Sequence, residues 1–212
     1  MSRARSDIPA GTGDAAADDA AADDAAVIER SLREPERFAV LFDRHAPHIH
    51  RYVARRLGRQ IADDLVAETF LAAFGKRHRY DVSHRDARPW LYGIATNLIG
   101  QHRREEVRQY RIRQAARPEP HASSHAERVA VDVTAQAIGR LLAAALAGLP
   151  DGDRDVLVLV AWEELTYDEV ARALAIPTGT VRSRLNRARA KVRQALSGSD
   201  AEAAYEEIMT NE

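Results

Sequence analysis

Twenty-one residues near the middle of the chain, Gln114 to Thr134 (Q-A-A-R-P-E-P-H-A-S-S-H-A-E-R-V-A-V-D-V-T), limit the available folds more than any other stretch. They contain two prolines, paired serines and no sustained apolar period, the composition of a linker. The sequence on each side must therefore bury a core of its own. Aromatics make up only 6% of the chain, while alanine, leucine, arginine and glutamate are plentiful, which favours helices over sheets. The expected fold is all-α: two small helical domains, residues 27–113 and 135–197, joined by a flexible linker over 114–134. Asp14 to Ala26 alternates alanines with aspartates and offers no large apolar side chain, so residues 1–26 read as a disordered tail. Residues 198–212 read as a second, acidic tail.

In the first block the most informative segment is Pro89 to Arg104 (P-W-L-Y-G-I-A-T-N-L-I-G-Q-H-R-R). Leu91, Ile94, Ala95, Leu98 and His102 recur at helical spacing and predict a buried face on a helix starting near Trp90, with Pro89 suited to its first turn. A second stripe, Trp90, Asn97, Arg104 and Arg111, with Gly93, Gln101 and Arg108 beside it, is expected to face outward. An indole, a carboxamide and guanidiniums on one surface suit single-stranded nucleic acid, where bases stack and phosphates need cations. A core tryptophan beside a solvated arginine face fits the same composition.

Upstream, Phe38, Leu41 and Phe42 are followed by Ile49, Tyr52, Val53 and Leu57, with Pro47 expected to break the helix between them. Asp43, His45, His48 and His50 lie close in sequence, but their spacing matches no zinc motif, and no metal site is assigned. Ile61 to Phe74 forms the next helix, with Val66, Phe70, Ala73 and Phe74 on one face. The opposite face mixes Asp64, Leu65, Glu68, Leu71 and Ala72, either a docking surface for a partner helix or a wide apolar stripe. Residues 75–88 are polar and basic, a loop carrying Tyr80 toward Trp90.

The wording of these segments decides between the alternatives. R-P-W-L-Y-G-I-A-T-N-L-I, from Arg88 to Ile99, closely resembles region two of the extracytoplasmic-function group of bacterial sigma factors. F-x-x-L-F-D-R-H-A from Phe38 fits the start of the same region. The resemblance implies that Tyr80, Trp90, Asn97 and Arg103 or Arg104 lie near the displaced strand of the minus-ten element. D-L-V-A-E-T-F-L resembles the segment that binds the clamp helices of RNA polymerase, which makes Asp64, Leu65, Glu68 and Leu71 the expected contacts with core polymerase. Members of the group often carry Phe where Tyr80 stands and Gly-Ser in place of Arg85 and Asp86, so the loop departs from the pattern.

Beyond the linker, Ala137 to Leu149 and Arg154 to Trp162 read as two helices separated by G-L-P-D-G-D. Thr166 with Glu169 three residues on makes a capping box for a third. Ile176-Pro177 makes a turn, and Thr178 is expected to cap the last helix. In that helix Val181, Leu185, Ala188 and Val192 define the core side, and Arg182, Ser183, Asn186 and Arg187 lie opposite, with Arg184, Arg189 and Lys191 on the flanks. Residues 179–194 hold six basic side chains and no acidic one, whereas residues 1–30 hold seven acidic and three basic. The pattern suits a helix in the major groove, with arginine to guanine, asparagine to adenine and the Thr180 hydroxyl to phosphate. I-P-T-G-T-V-R-S-R-L-N-R-A-R resembles region four of the same group, which implies minus-thirty-five contacts by Thr180, Arg182, Ser183, Arg184, Asn186 and Arg187.

The two resemblances occur in the family's order and imply a factor that binds core RNA polymerase, at the clamp helices of the beta-prime subunit and the flap of the beta subunit, and directs it to promoter DNA. They also make an anti-sigma factor a plausible partner. A helix-turn-helix regulator acting on duplex DNA without polymerase is the alternative. No catalytic constellation or glycine-rich phosphate loop suggests an enzyme, and no cofactor is expected. The chain has no cysteine, no signal peptide pattern and no apolar run longer than Leu141 to Leu149, which points to the cytoplasm.

Overall fold

The structure, a computed structural model, describes residues 22–115 and 135–197. All regular elements among them are helical, as the composition predicts. The long polar linker and both tails, apart from residues 22–26, 114 and 115, lie outside the described residues. The chain forms two units, residues 1–95 and 96–212.

In the first unit, α1 (Asp24–Ser31) is followed by a 3-10 turn (Pro35–Phe38), α2 (Ala39–Leu57), α3 (Arg59–Lys76), a second 3-10 turn (Arg77–Arg79) and the start of α4 (Arg88–Ala115). Helix α1 corrects the expected tail, because ordered chain begins before Val27. Asp23 caps the helix by accepting from the Ala26 N–H, and Asp24, Ala25, Val27 and Ile28 are all buried. The alanine-aspartate composition hid a capped turn that is anchored by a buried carboxylate as well as by Val27 and Ile28.

Pro47 does not break α2, which runs without interruption from Ala39 to Leu57. Proline removes one backbone donor. The residues on both sides nevertheless fall on one buried stripe, Leu41, His45, Ile49, Tyr52 and Val53, so packing outweighs the loss. Gly58, at φ 87°, makes the sharp change of direction into α3. Four edge-on or tilted aromatic pairs tie the elements of this unit together, among them Tyr52 with Tyr92 at 5.2 Å and Phe38 with Phe74 at 5.4 Å.

The second unit holds the remainder of α4 and then α5 (Ala135–Ala147), α6 (Asp151–Ala161), α7 (Tyr167–Leu174) and α8 (Thr178–Leu196). Helix α8 packs against α5, α6 and α7, burying Val181, Leu185, Ala188, Val192 and Leu196. The capping box at Thr166 and Glu169 is formed. Thr178 takes a different role from the one expected. It is the first residue of α8, and its hydroxyl donates to Asp168 on α7 at 3.0 Å, tying the two helices across the turn.

Candidate nucleic-acid and polymerase interfaces

Helix α4 carries the first site. Of the five positions expected on its buried face, Leu91, Ile94 and Ala95 are buried and Leu98 and His102 only half-buried, while Tyr92 and Ile99 join the core and Gly93 lies inside rather than on the outer stripe. Asn97, Gln101, Arg104, Arg108 and Arg111 are exposed, as expected. Seven residues of helix advance about 10 Å, so Trp90, Asn97 and Arg104 form a ladder along one side of α4. Arg103 is half-buried and pairs with Asp151 at 3.1 Å.

Trp90 is half-buried and tilted against Tyr80, with ring centroids 5.0 Å apart. The Tyr80 hydroxyl donates to the carbonyls of His84 at 2.6 Å and Asp86 at 3.2 Å, folding the loop back beneath the ring. Asp86, standing where the related pattern has serine, accepts from the Arg88 N–H at 2.8 Å and pairs with the Arg88 guanidinium at 3.1 Å. That satisfies one open amide at the start of α4, the work a serine would do. The result is a two-ring platform, its planes 57° apart, in a segment that also carries Arg85 and Arg88, the residue types that suit an unpaired base and its phosphates.

The second site is on α2 and α3. Asp64 and Glu68 are exposed and Leu71 is 72% exposed, a large apolar group presented to solvent beside carboxylates. Leu65 is not part of that surface. It is 5% exposed and belongs to the core, because the face it occupies is turned toward α2. Phe42, grouped in the sequence with Phe38 and Leu41, is 45% exposed and stands edge-on to Phe70 at 4.9 Å. An apolar stripe one residue wider than the core needs was the signal for it.

The third site is the helix-turn-helix formed by α7, Ala175 to Pro177 and α8. Arg182, Ser183 and Asn186 are exposed on the side of α8 opposite its core, as predicted. Two of the expected base-contacting arginines are already engaged. Arg187 makes a two-pronged pair with the buried Asp153 of α6, at 3.0 and 3.3 Å, and this hydrogen bonding raises its pKa further. Arg184 lies over Gly152, where a Cβ would come within 2.7 Å of its Nη1. The Arg187 pair ties α8 to α6, and the Arg184 guanidinium packs over the first turn of α6. Thr180 is half-buried, and its carbonyl accepts from the Ser183 hydroxyl at 3.1 Å.

Sequence reasoning missed Arg154. Its guanidinium donates to the carbonyls of Leu146, Ala147 and Leu149 and pairs with Asp151 at 2.9 Å, closing the end of α5. An arginine four residues after the proline of a helix-breaking turn was the available clue.

Both halves of the chain resemble known proteins. Residues 41–109 match Sigma-70 region 2 and residues 139–192 match Sigma-70, region 4, together more than half of the chain. The chain is 35% identical over 170 residues to the ECF RNA polymerase sigma factor SigE of Mycolicibacterium smegmatis, covering 77% of this chain and 63% of that protein. It is 30% identical over 176 residues to the RNA polymerase sigma factor CarQ of Myxococcus xanthus, covering 79% of this chain and 93% of the relative. Among solved structures, that of CnrH in complex with the cytosolic domain of CnrY has a TM-score of 0.57 at 27% identity, over 82% of this chain and 96% of that one. With both regions present and in order, and with relatives of this identity, the chain belongs to the extracytoplasmic-function group of the sigma-70 family.

Proposed function

We propose that the chain binds core RNA polymerase, directs it to particular promoters and promotes opening of the duplex. The observation that carries this reading is the pairing, in one chain, of a base-stacking platform at Tyr80 and Trp90 with a basic helix-turn-helix at Arg182, Ser183 and Asn186. A duplex-only regulator needs the second and has no use for the first. Residues 24–113 would carry polymerase docking and the minus-ten site, residues 135–197 the minus-thirty-five site, and residues 114–134 the tether.

Polymerase docking is assigned to Asp64, Glu68 and Leu71 with Phe42 added, facing the clamp helices of the beta-prime subunit, while the second domain meets the flap of the beta subunit. Leu65 supports that surface from inside. Asn97, Arg103 and Arg104 extend the minus-ten site along α4 from the platform. Arg187 and Arg184 orient α8 in the minus-thirty-five site, and Arg182, Ser183 and Asn186 read it. The chain supplies binding energy only, and the polymerase supplies the chemistry. The likeness to CnrH, solved in complex with the cytosolic domain of CnrY, supports a protein partner, which we take to be an anti-sigma factor met in the cytoplasm where the polymerase works.

In vitro transcription with core enzyme on a genomic promoter pool, with start sites mapped, tests the reading. Transcripts from defined positions that need both the chain and core enzyme are expected. Tight retention of duplex sites by the chain alone, without such transcripts, would establish the regulator instead.

A further inference from the structure

Helix α1 precedes the residues that match either sigma-70 region, yet it reaches the loop that leads into the Trp90 helix. Asp24 is buried at 6% exposure. Its Oδ2 accepts from the backbone N–H of Ala87 at 2.9 Å and meets His45 Nε2 at 2.7 Å, and its Oδ1 accepts from the Arg44 guanidinium at 2.9 Å. Its own backbone N–H donates to the Arg85 carbonyl at 3.1 Å, and Asp23 lies 3.7 Å from the Arg85 guanidinium. Burial pushes the Asp24 carboxyl up, but hydrogen bonds from His45, Ala87 and Arg44 and the coulombic attraction of His45 outweigh it and hold the group below its ordinary value.

These contacts converge on residues 85–87, the last three before α4. The Ala87 N–H is among the amides that a helix start leaves without an intrahelical partner. Asp86, between Arg85 and Ala87, offers a carbonyl that receives the Tyr80 hydroxyl. One of the two carbonyls that receive the Tyr80 hydroxyl, the other being that of His84 at 2.6 Å, therefore lies in a backbone segment pinned by one carboxylate 63 residues away in sequence. The histidine that looked like a stray metal ligand is the other jaw of this clasp.

We propose that Asp24 is a positioning residue for the minus-ten site: through it, α1 fixes the loop that sets the Tyr80–Trp90 platform. Asp24 touches no DNA itself. It acts on how well the platform distinguishes the base it holds. The proposal rests on the sigma-factor reading above.

The test uses the full chain with Asp24→Ala and Asp24→Asn. Asp24→Ala is expected to speed hydrogen exchange at the Ala87 amide roughly tenfold, the loss of one charge-assisted hydrogen bond. With core enzyme, it is expected to lower the ratio of transcript from a matched promoter to that from minus-ten-substituted promoters, at a temperature where the variant is folded and still binds core. Asp24→Asn, whose amide oxygen can still accept from Ala87, restores most of that ratio. Should Asp24→Ala not fold, Asp24→Ser, too short to reach Ala87, is read in the same way. Unchanged Ala87 exchange, or transcript falling by one common factor on every promoter in step with the folded fraction, overturns the proposal. If the unmodified chain yields no transcript with a defined start, the sigma-factor reading fails, while the exchange result still decides whether the clasp exists.

Discussion

The helix-turn-helix and the Tyr80–Trp90 platform are both DNA-facing surfaces in this reading, but they are assembled by opposite means. In α7 and α8 nearly everything is local. A capping box spans four residues, the turn is three residues long, and the core stripe recurs at helical spacing. The platform is assembled from distant parts of the chain, with α1, α2 and the loop before α4 meeting at one buried carboxylate. Such a site is specified by tertiary contacts, and single changes in it should cost more than single changes in the local one.

The largest expected effect lies in the first unit. Leu65→Arg would place a charge in the core and should destabilise by more than about 4 kcal/mol, leaving little folded protein in a thermal melt. Leu71→Arg should leave the melting curve within about 0.5 kcal/mol of the parent and abolish co-purification with core polymerase. If both variants fold and lose core equally, Leu65 is on the surface and the buried face has been assigned to the wrong side of α3.

Asp24→Ala should cost about 3 kcal/mol, because it leaves the Ala87 amide, His45 and Arg44 without their buried acceptor. The pH dependence has a fixed sign. The folded-state pKa of Asp24 is lowered, so its contribution is complete above the unfolded value near 3.9 and is lost as pH falls through the lower, folded value. Chemical denaturation from neutral pH into acid should therefore show the difference between parent and Asp24→Asn shrinking toward zero. A difference that grows on acidification would mean that Asp24 is protonated in the folded chain.

What could be read from the sequence follows the same division. The stripe Val181, Leu185, Ala188, Val192 and the cap at Thr166 were legible because each is written within a few residues, and the structure keeps them. Outward placement of Asn97 and Arg104 was legible for the same reason. The buried state of Leu65, the unbroken α2 through Pro47 and the order at Asp24 were not, since each depends on what the rest of the unit packs against that position. Polar clasps are the hardest to see. Periodicity records apolar burial, whereas Asp24 is buried with hydrogen bonds to residues 20 to 63 positions away, and Asp153 is buried against an arginine 34 positions after it.

A smaller effect measures the local side of the comparison. Thr166→Ala removes half of the capping box and should cost about 1 kcal/mol, followed by the melting of the second unit. A loss as large as that of Asp24→Ala would erase the proposed contrast between the two sites.

The smallest expected effect concerns the turn between α7 and α8, and its sign is the informative part. Ala175 sits at φ 51°, ψ 45°, in the left-handed region that costs a residue with a Cβ, while its N–H bonds to the Arg172 carbonyl and that of Ile176 to the Ala171 carbonyl. This is the helix-ending arrangement that glycine normally serves. Replacing the exposed Ala175 by glycine relieves the backbone at the expense of a more flexible unfolded chain, and the balance should be a gain of about 0.5 kcal/mol. Because the same hydrogen bonds remain, the angle between α7 and α8 and the minus-thirty-five preference should not change. A stabilised variant with an altered base preference would show that the strained turn sets how α8 is presented to DNA, and would move part of the specificity from Arg182, Ser183 and Asn186 to the backbone before them.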